Sequence, residues 1–128
     1  MVLPSSPLAT ALDRVLLAMI IVDDDVDPDE VATAETAYAD AVGNPAEPGA
    51  FARAAAEAKA AGKAPAQLLE DLPQLDETAQ RAVLGAAFAV AGADGFVLEE
   101  EDALLQDIGR ALGMDDGEVR STLAALMA

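Results

Sequence analysis

Val22-Asp23-Asp24-Asp25-Val26-Asp27-Pro28-Asp29-Glu30 and, 71 positions later, Ala93-Asp94-Gly95-Phe96-Val97-Leu98-Glu99-Glu100-Glu101 are two versions of one segment. Asp23 aligns with Asp94, Val26 with Val97 and Glu30 with Glu101. Each segment follows an apolar helical run and precedes an amphipathic one, so the chain contains two copies of a helix-loop-helix unit. In each copy an aspartate stands where one helix ends and a glutamate where the next begins. The repeat makes the expected fold all-α and narrows the chemistry to carboxylates.

Helix starts and stops are legible on both sides of these segments. Ser6-Pro7 supplies an N-cap and a proline at the first helical position, opening a helix to about Val22. Asp27-Pro28-Asp29-Glu30 opens the next as a capping box, with Val31, Ala34, Tyr38 and Ala41 on one face and a stop at Gly43. An alanine-rich helix with Phe51, Ala55 and Ala58 closes at Gly62, and a shorter segment follows around Gln67 to Leu72. Asp76 caps a helix that is almost wholly apolar from Ala82 to Ala93, as expected of a central element. Leu105, Ile108 and Leu112 mark a sixth helix ended by Gly113, and the capping box Asp115-Asp116-Gly117-Glu118 opens a seventh. The expected architecture is a compact bundle of about seven helices in a single domain, residues 1–128. The helices before Asp23 and Asp94 form its central pair, with Leu16, Met19, Ile20, Ala87, Phe88 and Ala91 facing each other.

Composition agrees. The chain has 128 residues, 53% hydrophobic but only 3% aromatic, with alanine prominent, which favours closely packed helices. It has neither cysteine nor histidine, which excludes disulfides, thiolate chemistry, zinc fingers and histidine-based triads. The formal net charge of −17 leaves no basic footprint for nucleic acid and disfavours an anionic membrane surface. The longest apolar run, Val15 to Val22, is too short to span a bilayer. It also lacks the basic cluster and small-residue cleavage site of a signal peptide. A cytoplasmic domain without direct membrane insertion is the expectation; partners, if any, are other proteins.

The acidic segments admit three uses. An EF-hand fails, because Pro28 occupies the loop position that requires glycine and Ala34 the one that requires the closing glutamate. A site shared between the two repeats would instead join Asp23, Glu30, Asp94 and Glu101 as an all-oxygen metal site. Carboxylates alone favour calcium, magnesium or manganese over softer metals. Three consecutive aspartates after a helix C-terminus oppose its dipole, and no lysine or arginine occurs between Arg14 and Arg53 to relieve them. Against this stands a purely structural or protein-interaction module in which the same residues are helix caps and turns. A carboxylate-only metalloenzyme is the third use. It has little support: the chain lacks the histidines of di-iron carboxylate centres and any assignable acid, base or nucleophile constellation.

The segment Ala93-Asp94-Gly95-Phe96-Val97-Leu98-Glu99-Glu100-Glu101 behind an alanine-rich helix resembles the signature of the TerB-like family. That family includes bacterial tellurite-resistance proteins and a domain of a membrane-anchored co-chaperone. The first copy departs from the signature at Val22 and Asp24 while keeping Asp23, Val26 and Glu30. The resemblance runs from about Leu8 to Leu126. It implies a bundle of about seven helices with an internal pseudo-repeat and a stress-response rather than catalytic role. It also implies a metal-binding position at Asp23, Glu30, Asp94 and Glu101.

Overall fold

A computed structural model describes residues 7–22, 26–45, 47, 49–93 and 99–127, the side chains of Glu100 and Met127 excepted. Among them are seven helices and no strand: α1 (Pro7–Ile21), α2 (Pro28–Val42), α3 (Ala50–Ala60), α4 (Pro65–Leu68), α5 (Glu77–Ala91), α6 (Glu99–Ala111) and α7 (Asp116–Met127). Of the expected N-caps, Ser6 lies outside the described residues and the three aspartate caps form. Asp27 Oδ1 accepts from Asp29 N at 2.8 Å, Asp76 Oδ1 from Ala79 N at 2.8 Å and Asp115 Oδ1 from Glu118 N at 2.7 Å. Each satisfies a backbone N–H that the first helical turn leaves without an intrahelical partner. At the other end of α6, Gly113 takes a φ of 94°, and Met114 N donates to Gly109 O at 2.9 Å. This is a Schellman closure, which needs the left-handed conformation that glycine adopts without strain.

Helices α1 and α5 are the two around which the rest is arranged. Helix α1 packs against α2, α3, α4 and α5 and, over a smaller area, α6; α5 packs against α1, α2, α6 and α7. Coverage on several sides explains why α1 buries nine of its residues rather than a single stripe. The expected central pair is therefore present. Leu16, Met19, Ile20, Ala87 and Ala91 are all fully buried. Phe88 departs from expectation: it is half-buried and packs on the edge of the core. Its counterpart in the first repeat, Leu17, is half-buried as well, so this position lies on the flank in both copies.

The repeat is visible in the core. Leu12 and Val83, Leu16 and Ala87, Met19 and Val90, Ile20 and Ala91, and Ala34 and Leu105 occupy matching positions, and every one is buried. In α1 these positions carry large side chains where α5 carries alanine or valine, which suits interdigitation of two closely approaching helices. The symmetry is approximate, since α2 packs along α5 far more extensively than α6 along α1.

Helices α6 and α7 meet at Gly109. A Cβ added there would lie 3.2 Å from Val119 Cβ and Cγ1 and closer still to Cγ2. Gly109→Ala is expected to cost about 1–3 kcal/mol by overpacking, more than offsetting the helix propensity gained. Chemical denaturation checks this, with Gly109→Ala combined with Val119→Ala as the control that makes room. An increase in stability for Gly109→Ala alone would rule out so close an approach of the two helices.

Candidate functional site

Two charged side chains are buried among the described residues, and they are Glu30 and Glu101, with 2% and 1% of their surface exposed. Each is the third residue of its helix, α2 or α6, and the last of one acidic segment. Helical phase puts them inside. Glu101 lies on the same stripe as the buried Leu104, Leu105 and Ile108, and Glu30 on that of the buried Ala34 and the half-buried Tyr38 and Ala41. A capping glutamate ordinarily lies on the surface; these two continue the apolar faces of their helices into the molecule. Both are engaged by neighbouring groups.

Asp23 and Asp94 lie outside the described residues, as do Asp24 and Asp25. Among the described residues no group of three or more potential metal ligands assembles. The structure thus describes the two glutamates of the four candidates and places them at equivalent points of the repeat. In the first repeat the cap differs in detail from a full capping box, because Asp27 Oδ1 accepts from the second helical N–H rather than the third. The N-terminal turn of each helix favours a nearby negative charge by about 0.3–1 kcal/mol, up to about 2 when partly buried. Burying a carboxylate costs several kcal/mol unless it is compensated. Helix dipoles alone therefore do not account for two buried glutamates.

A second group of polar residues was not legible in the sequence. Asp13 on α1 and Tyr38 on α2 border a pocket of about 390 Å³ whose walls include Leu17, Phe51 and Ala54. Asp13 lies on the surface, yet the adjacent protein desolvates its carboxyl enough to raise its pKa. Burial and then the negative charge of Asp13 raise the pKa of the Tyr38 phenol. The only hints in the sequence were the Asp13-Arg14 pair set into a largely apolar helix and the position of the sole tyrosine. A carboxyl whose folded pKa is raised favours its protonated form, so its ionisation lowers stability as pH rises through its titration range. Asp13→Asn should therefore raise the melting temperature slightly at neutral pH. The difference should vanish below the ordinary aspartate range, where the wild-type carboxyl is also neutral. A thermal melt series from pH 3 to 7 checks the sign; a variant less stable than wild type at pH 7 would contradict it.

No described helix is long and apolar enough to cross a membrane. No curated protein and no solved structure is a significant match to the chain. The sequence model of the family described as "Tellurite resistance protein TerB" matches residues 9–124, a span from α1 into α7 that includes both acidic segments and both buried glutamates. With its seven-helix fold and almost its entire length accounted for by that match, the chain belongs to the TerB family.

Proposed function

We propose that this TerB domain is a non-enzymatic, tellurite-resistance-type stress-response module that binds one hard divalent cation between its two acidic segments. Asp23, Glu30, Asp94 and Glu101 are the residues that would hold the ion. The observation that carries this reading is the burial of Glu30 and Glu101 at equivalent positions of an internal repeat. Two carboxylates withdrawn from water at matching ends of two acidic segments concentrate negative charge there, and along the chain the first segment has no lysine or arginine between Arg14 and Arg53. The donor set fits the ion: oxygen ligands alone suit calcium, magnesium or manganese, and the absence of histidine and cysteine disfavours zinc and copper.

The bound ion would neutralise part of the charge of −17 and tie the first helical hairpin to the second. Its role is accordingly structural or regulatory, setting the surface that the acidic segments present to a protein partner. Thermal melts at matched ionic strength test this. Calcium, magnesium or manganese should raise the melting temperature beyond the effect of sodium, which acts by screening alone. Equal effects of sodium and all three divalent ions would remove the support for a specific site.

A further inference from the structure

The pocket between α1, α2 and α3 is separate from the acidic segments and has a chemistry of its own. Its volume of about 390 Å³ suits a small organic molecule. Leu17, Phe51 and Ala54 supply apolar wall, and the Tyr38 ring meets Phe51 edge-on with ring centroids 6.0 Å apart and planes inclined at 72°. Polar groups are confined to Asp13, Glu47 and Arg14 apart from the tyrosine hydroxyl. The charges are unequally committed. Arg14 Nη1 donates to the carbonyl oxygen of Glu70 at 2.6 Å, and Glu47 is held by Arg53 at 3.7 Å. Asp13 takes part in no ion pair among the described residues, although its carboxyl is desolvated by the surrounding protein.

We propose that this pocket binds a small organic cation, an ammonium group on a short hydrocarbon. Asp13 receives the ammonium beside the Tyr38 ring, and Leu17, Phe51 and Ala54 enclose the chain. An ammonium gains from both the carboxylate and the face of an electron-rich ring. The overall charge of −17 enriches cations near the surface and disfavours an anionic occupant. A metal ion is a poorer fit, because it would leave the apolar walls without a partner.

The protein carries its own reporter, since Tyr38 is its only tyrosine and it has no tryptophan. Tyrosine fluorescence is followed while hexylammonium, or uncharged 1-hexanol as the isostere, is added at constant ionic strength. Hexylammonium should give a saturable change and bind roughly two- to fivefold more tightly than hexanol, the margin set by a partly exposed ion pair. Asp13→Asn should weaken hexylammonium by about the same factor and leave hexanol unchanged. Asp102→Asn, which removes an exposed charge from α6, should alter neither. Ala54→Leu, which fills the pocket, should weaken both ligands. The proposal is overturned by equal binding of the two ligands, by an unsaturable response, or by equal losses in Asp13→Asn and Asp102→Asn. The last result would assign the attraction to net charge. None of these measurements involves a divalent cation, so they stand apart from the metal site.

Discussion

Leu16→Ala is expected to destabilise the protein by about 2–5 kcal/mol, the range for removing a large aliphatic side chain from a closed core. Leu16 is wholly buried on α1, a helix packed against five others. Packed helices on several sides of α1 limit how far the space left behind can close, which favours the upper part of that range. Against a typical domain stability of about 5–15 kcal/mol, the loss is large enough to partly unfold the protein at physiological temperature. Urea denaturation checks it: the midpoint should fall while the slope stays unchanged, because the surface exposed on unfolding is the same. A loss below about 1 kcal/mol would place Leu16 outside the core and undo the central pairing of α1 with α5.

The second large effect is a linkage. A cation held only by the native state stabilises it by about 2.7 kcal/mol at a hundredfold excess over Kd. Asp94→Asn with Glu101→Gln should abolish that increment, because the proposed site would lose two of its four charges. Helix content should hardly change, since glutamine preserves the shape and hydrogen-bonding reach of the buried side chain at the start of α6. Without metal the double variant should match or slightly exceed the wild type, as a buried carboxylate is exchanged for a neutral amide. The mirror variant, Asp23→Asn with Glu30→Gln, should behave in the same way, because a shared site depends on both repeats. If capping is the only role of these residues, neither the wild type nor the variants will respond to metal.

How much of this was legible in the sequence depended on whether the deciding interaction was local. Asp76 and Asp115 cap helices through their own backbone three residues away, so their roles follow from spacing alone. The central α1 and α5 were legible from their apolar content. The short α4 was legible in its existence but not in its extent. Its expected extent reached Leu72, but the helix ends at Leu68, and Leu72 precedes Pro73, which disfavours helical backbone there. Arg14, 56 residues from Glu70 in sequence, donates to the Glu70 carbonyl just past the end of this helix, a contact that no local pattern announces. The close approach of Gly109 to Val119 likewise depends on how two helices cross.

The candidate site divides in the same way. The repeat singled out Glu30 and Glu101, but a capping role explained their spacing equally well. Their phase with Ala34 and with Leu105 and Ile108 was the available signal for burial, and it becomes decisive only once the core faces are known. The pocket at Asp13 joins residues from three helices and left almost no trace in the sequence.

The most direct test of the proposed shared acidic site is isothermal titration calorimetry of the purified chain with calcium, magnesium and manganese. A saturable isotherm with one cation per chain for at least one of these metals is predicted, lost in both double variants. Only heats of dilution with all three metals, or an isotherm unchanged by Asp94→Asn with Glu101→Gln, would contradict it.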